Sequence, residues 1–323
     1  MASLIEIRKL RKQFGPFVAV DDVSFNVERG EVLGFLGPNG AGKSTTMKMV
    51  TGFLTPNGGT AIVSGHDIAK EPMKAKEKIG YLPEGAPAYP DMTPHSFLRF
   101  IAEIRGFRGA DRDRRVDEVV SKVSLESHLY VPIESLSKGY KRRVGLAQAI
   151  LHDPEVLIMD EPTDGLDPNQ KFHVRKLIKD MAPNKATILS THILEEVEAV
   201  CTRAIIIAAG RVIADGTPQE LAARSPSHNA VSLRISREGG AQFREKLEKI
   251  PGVKRVEVNE NGEGGSIALR LFPERGRTIL KDVSKLAFDQ RVEMDEIHED
   301  RGRLDEVFRE LTHEATVKAG REN

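Results

Sequence analysis

The sequence predicts an α/β fold with a helical block inserted into it and a small α+β module appended. Three observations carry this. Short apolar runs recur at residues 31–36, 156–159, 186–190 and 203–208, the length and composition of buried strands. Between Pro83 and Ile150 the strands stop and helical patterns take over. After a Ser/Pro break at Arg224-Ser225-Pro226-Ser227, the pattern strand, helix, strand, strand, helix, strand follows. A chain of 323 residues suits two domains at roughly 150 residues each.

In chain order, Leu4, Ile5, Glu6 and Ile7 alternate as a strand, and residues 17–27 carry β-branched side chains on both sides of Asp21-Asp22. Residues 31–36 run into Gly37-Pro38-Asn39-Gly40, a strand entering a turn. A helix is expected from 43 to about 53, broken by Thr55-Pro56-Asn57-Gly58-Gly59. Residues 79–82 form a short strand ended by Pro83. Thr93-Pro94 reads as an N-cap with proline at the first helical position. Val116, Val119, Val120 and Val123 repeat at i, i+3, i+4, i+7, an amphipathic stripe. Asp167-Pro168 opens a helix with Val174, Leu177, Ile178 and Met181 on one face, and residues 193–200 form another.

The expected domains are therefore 1–222, with the helical block at about 85–150, a linker at 223–229, and a module at 230–323. Within the module, strands are expected at 231–235, 253–258, 266–271 and 291–293, and helices at 241–250 and 277–287. Asn261-Gly262 suits the hairpin turn, and the β-α-β-β-α-β order suggests a ferredoxin-like unit. Leu304, Val307, Phe308 and Leu311 give a last helical stripe, which simple packing accounts for.

Composition narrows the function. Lysine plus arginine total 48 and aspartate plus glutamate total 48, so no global field favours nucleic acid or anionic lipid. Trp is absent and aromatics are 5%, which argues against base-stacking platforms. The single Cys201 excludes an intrachain disulfide and a Cys-rich zinc site. His66, His95, His128, His152, His173, His228, His298 and His313 lack metal-ligand spacing and are expected at the surface or as caps. No apolar stretch approaches the roughly 20 residues of a spanning helix, and residues 1–14 lack a signal-peptide core. The expectation is a soluble cytoplasmic protein.

Gly37, Pro38, Asn39, Gly40, Ala41, Gly42, Lys43 and Ser44 match G-x-x-x-x-G-K-[ST] between a strand and a helix. The glycines let successive N–H groups turn inward on phosphate oxygens, and the helix adds its positive end. Lys43 is expected to reach the β/γ-phosphates and Ser44 to ligate Mg²⁺, with Thr45 beside it. A chance match arises in roughly one in a hundred chains this long, and the strand–loop–helix context lowers that further. Residues 156–159 then deliver Asp160 and Glu161: Asp160 to hold Mg²⁺, Glu161 to activate water.

With these in place, residues 1–222 resemble the ATP-binding subunits of ABC transporters. Leu136-Ser137-Lys138-Gly139-Tyr140 resembles the family's signature loop, which contacts ATP held by the opposite subunit; Ser137 and Gly139 are kept, while Lys138 and Tyr140 depart from L-S-G-G-Q. Arg143, Ala147 and Ala149 keep the rhythm of the helix behind it. Asp164-Gly165-Leu166-Asp167 resembles the loop that couples the two sites, with Asp167 as the candidate contact. His192 matches the switch histidine, and Phe14 the aromatic that stacks on adenine, with Phe17 as alternative. Glu84 stands where the family usually has a glutamine that meets Mg²⁺. Glu84, the variant signature and the C-terminal module resemble the ABC-2 exporter branch, with its drug-efflux and gliding-motility-associated subunits.

The resemblance implies an ATP sandwich homodimer that binds ATP and Mg²⁺ and drives a separate integral-membrane permease from the cytoplasmic face. The permease is expected on the block from about Gly85 to Pro132. No nucleic-acid partner is expected. The competing reading, a non-transport ABC ATPase acting on DNA or ribosomes, lacks the coiled coils, zinc hooks or second cassette of those members.

Overall fold

The computed structural model describes residues 3–236, 240–259 and 266–322. It falls into two compact units, one comprising Met1–Pro218 with Thr312–Asn323 and the other Gln219–Leu311.

The first unit opens with two long antiparallel strands, β1 (Ser3–Phe14) and β2 (Phe17–Glu28). Then come β3 (Val32–Leu36), α1 (Lys43–Val50), β4 (Gly58–Val63), β5 (His66–Asp67), α2 (Pro72–Glu77) and β6 (Ile79–Leu82). The helical block holds α3 (Pro94–Ile104), α4 (Gly109–Lys122) and α5 (Lys138–Ile150), without a strand among them. Next are β7 (Val156–Asp160), α6 (Pro168–Met181), β8 (Ala186–Thr191), α7 (Leu194–Val200), β9 (Arg203–Ala208) and β10 (Arg211–Gly216), and then α8 (Pro218–Ala222), whose residues from Gln219 on belong to the second unit.

Six strands form one sheet in the order β10-β9-β3-β8-β7-β6, parallel except for β10. Every residue of β3, β7 and β8 is buried, as expected of strands covered on both faces. A second, antiparallel sheet runs β2-β1-β4-β5. Between the sheets lie Phe25 and Phe35, with ring centroids 5.4 Å apart, and Met47 and Val50 of α1. Burying each such side chain contributes about 1.5–3 kcal/mol.

The helix signals were local and hold. Thr93 accepts from Ser96 N–H while Ser96 answers at the Thr93 backbone, a reciprocal cap with Pro94 in the first turn. Val116, Val119 and Val120 are buried on α4. Asp167 Oδ1 caps α6 through Gln170 N–H at 2.9 Å.

Several expectations need correction. The helix after the glycine loop ends at Val50, not near 53, because Phe53 and Leu54 both fold their N–H groups back to Lys48 O. Residues 55–59 do lie beyond the helix end, but Gly58 and Gly59 already begin β4, whose ladder is supplied by β1, so pairing overrides composition there. Strand β10 follows Gly210 and was not anticipated. His152 is half-buried rather than surface, its Nε2 3.0 Å from Ile79 O.

The second unit contains β11 (Val231–Ser236), α9 (Gly240–Leu247), β12 (Val253–Asn259), β13 (Ser266–Pro273), α10 (Leu280–Asp289), β14 (Met294–Glu299) and the start of α11 (Leu304–Glu322). Its sheet order, β12-β13-β11-β14, with every pair antiparallel, is the ferredoxin-like arrangement expected from the strand–helix order. Val231, Leu233 and Ile235 pack with Phe243, Leu247, Val283 and Ala287. The last strand lies at Met294–Glu299, not 291–293. A register shift opposite Arg234 and Ile235 interrupts its alternation, which hid it among acidic residues. Asn261-Gly262 lies outside the described residues. In the segment 223–229, Ser225 and Ser227 are buried and both hydroxyls donate to Glu306.

Candidate active site

The site is built at the carboxyl ends of parallel strands, where open α/β sheets gather their ligands. Gly37 to Gly42 leave β3 as a tight loop and enter α1 at Lys43. Gly42 is the N-cap, at φ 102°, and a Cβ there would lie 2.5 Å from Ala19 O; only glycine meets both demands. No side chain caps α1, so its first N–H groups are left for an acceptor from outside. Ser44 and Thr45 begin the helix, both half-buried. Lys43 is buried and bends back over the loop, its Nζ donating to Gly37 O at 2.7 Å and Pro38 O at 3.1 Å. Burial pushes its pKa below the ordinary value, against the pull of Glu161, Asp160 and Glu84. Those three carboxylates therefore share the electrostatic neighbourhood of Lys43.

Strand β7 carries Asp160 into the sheet, 1% exposed. Its Oδ1 accepts from Ser190 Oγ of β8, while Oδ2 is buried with no protein partner. Glu161 follows in the left-handed region at φ 51°, an uncommon conformation for this residue type. Its N–H donates to Ser190 O at 3.1 Å, and its Oε1 lies 2.8 Å from His192 Nδ1. With the Nδ1 proton in place, His192 donates to the carboxylate. Glu84, two residues beyond β6, is exposed. The structure thus brings together the loop, Glu84, Asp160, Glu161 and His192.

Two residues that sequence reasoning missed support this group. Arg142, 5% exposed on α5, donates through Nε to Pro162 O at 3.3 Å and through one terminal nitrogen to Pro83 O at 2.9 Å. Its other terminal nitrogen donates to the carbonyls of Asp160 and Glu161. Burial lowers its pKa, with Asp164, Asp160, Glu161 and Glu84 pulling upward. Glu196 on α7, 1% exposed, accepts from Thr163 Oγ1 and, at 3.1 Å, from Thr191 Oγ1. Burial raises its pKa above the ordinary 4.5, and the Thr191 hydrogen bond opposes the shift. The available signal was position. Arg142 stands four residues before buried Leu146 and Glu196 four before buried Val200, charges on apolar helix faces.

Ser137 and Gly139 belong to a second cluster. Ser137 caps α5, accepting from Tyr140 N–H at 3.4 Å. Gly139 packs so closely on α6 that a Cβ would lie 2.5 Å from Gln170 Oε1. Lys138 Nζ bonds Asp164 Oδ2 at 2.7 Å. Tyr140 stacks on His128 at 3.8 Å between centroids, and Arg143 lies 5.3 Å from its ring. Asp167 is the cap of α6. Phe14 and Phe17 pair at the tip of the β1–β2 hairpin, 48% and 60% exposed, so neither is spent on the core.

Residues 20–164 match the ABC transporter family model. The chain is 37% identical over 258 residues to the linearmycin resistance ATP-binding protein LnrL of Bacillus subtilis (strain 168), covering 80% of this chain and 83% of that one. It is 38% identical over 222 residues to the Nod factor export ATP-binding protein I of Cupriavidus pinatubonensis (strain JMP 134 / LMG 1197), covering 68% of each. A solved ATP-binding subunit of an ABC transporter superposes with a TM-score of 0.63 at 33% identity, over 68% of this chain and 92% of that one. The chain belongs to the ATP-binding proteins of ABC transporters.

Proposed function

We propose that this chain is the ATP-hydrolysing subunit of an exporter, acting as a dimer on a separate membrane permease at the cytoplasmic face. The observation that carries the chemistry is the 2.8 Å contact between Glu161 and His192 beside the loop that ends in Lys43. Resistance and export relatives support the transport class.

In this reading the loop N–H groups and Lys43 take the β/γ-phosphates, Phe14 stacks on adenine, and Glu161 accepts a proton from the attacking water. His192 steers the Glu161 carboxylate and the γ-phosphate side of the site. Phosphoryl transfer needs positioning and charge neutralisation more than a protein nucleophile, which suits this inventory. Ser44, Glu84 and Asp160 are the residues that would hold Mg²⁺. Their fit rests on Asp160 Oδ2, a buried carboxylate oxygen without a protein partner, which is costly unless a cation meets it. When bound, Mg²⁺ supplies positive charge to the phosphate oxygens. Ser137, Gly139 and Asp167 would complete the site of the other subunit.

No described helix is long and apolar enough to cross a membrane. The permease is assigned to the helical block, where Tyr89, Phe100, Ile104 and Tyr130 are exposed. A cavity of about 230 Å³ beside it is lined by Phe53, Tyr81, Ala86, Pro87 and Arg105 among others. The ferredoxin-like module is assigned a role in stabilising or regulating the dimer; deletion after about 226 with dimerisation and ATPase intact would remove that role. The main test is the full-length Glu161→Gln chain saturated with Mg-ATP. It should elute as a dimer, and elution as monomer alone would count against the sandwich.

A further inference from the structure

Glu161 sits at φ 51° in a chain where its side chain has to be held at a fixed place. A left-handed non-glycine residue persists only where its surroundings over-determine it. On the amide side, Glu161 N–H is held by Ser190 O. On the carbonyl side, the holder is Arg142.

The same guanidinium reaches the carbonyls of Asp160, Pro162 and Pro83. Pro83 immediately precedes Glu84, so one side chain touches the backbone at both strand ends that deliver acidic residues to the site. Arg142 itself rides on α5, the helix capped by Ser137. A planar fork with five donors can serve four carbonyls spread in this way; the three donors of a lysine ammonium radiate from a single point.

We propose that Arg142 is a positioning residue of the ATPase site, holding the backbone of Asp160 and Glu161 so that both carboxylates face the phosphate loop. It also ties that backbone to α5, so the placement of the signature helix and of the water-activating carboxylate are set by one group. The inference rests on the reading of Glu161 as the residue that activates water. Arg142 does not touch the loop from Gly37 to Ser44 in any of its hydrogen bonds, so ATP binding and turnover should respond differently to its loss.

The test uses full-length Arg142→Met and Arg142→Lys, with Glu161→Gln as control. Steady-state hydrolysis gives kcat and KM, and a fluorescent ATP analogue gives affinity. A displacement of an ångström at the reacting groups costs up to about 100-fold in rate. Arg142→Met should therefore lose roughly 10- to 100-fold in kcat, with KM and analogue affinity within about threefold. Arg142→Lys should fall between it and the wild type. Turnover by both variants within about twofold of wild type, while Glu161→Gln is inactive, overturns this proposal alone. Loss of analogue binding in step with kcat in both variants also overturns it, by showing general damage. An active Glu161→Gln overturns the underlying reading instead. If Arg142→Met does not fold, the same criteria apply to Arg142→Lys.

Discussion

Nδ1 of His192 lies 2.8 Å from Oε1 of Glu161, joining the residue after β8 to the residue after β7. The two strands are parallel neighbours, with Asp160 paired to Ser190, so the contact follows from the sheet register. A parallel pair places both carboxyl ends on the same edge, and that edge is where β3 releases the phosphate loop. Their chemistry depends on the phosphate group being brought to the same edge.

Glu84→Gln should preserve turnover and move the Mg²⁺ titration. The amide keeps an oxygen donor and removes one negative charge from the group that acts on Lys43. Activity measured against Mg²⁺ concentration checks this. Superimposable curves for the two proteins would take Glu84 out of the metal site.

Lys138 and Asp164 form an exposed ion pair, with side chains 68% and 50% accessible. Such pairs contribute little to folding, typically about 0–1 kcal/mol. Lys138→Ala should therefore shift the urea-unfolding free energy by no more than about 1 kcal/mol, while the N-terminus of α5 loses its tie to Asp164. A larger loss would mean that the pair has a structural role which its exposure hides.

His152 gives a pH prediction. Burial first, then the charge of Arg105, push its pKa from 6.5 to about 4. The folded chain keeps the imidazole neutral in that window, whereas the unfolded chain takes up a proton. More protons bound to the unfolded state means that stability falls as pH drops from 6.5 to about 4, and is fully present above it. His152→Gln keeps an N–H donor for Ile79 O without titrating. Urea midpoints across the window should be flatter for the variant than for wild type; identical slopes would contradict the assignment.

The sequence was most legible where one short segment contains the whole device. The loop from Gly37 to Ser44 needs only its own backbone, a strand before it and a helix after it, and all three are contiguous. The acid pair at Asp160 and Glu161 was equally visible, because an apolar strand announces its own end. Arg142 was not, since its partners are carbonyls of Pro83, Asp160, Glu161 and Pro162, separated from it along the chain by up to 59 residues. Arg143 matches a family rhythm in the sequence but stands partly exposed against Ser124 O and Tyr140. Strands β4 and β14 were obscured for a related reason. Glycines at one and acids at the other argue locally against a strand, and only the neighbouring strand supplies the ladder that decides it.

The central claim is that Glu161 activates water for ATP hydrolysis. Steady-state Mg-ATP turnover of Glu161→Gln, measured beside ATP binding by the same protein, tests it most directly. A positioned general base contributes about 10²- to 10⁴-fold. The account predicts a loss of that order with ATP still bound. Turnover within about twofold of wild type would contradict it.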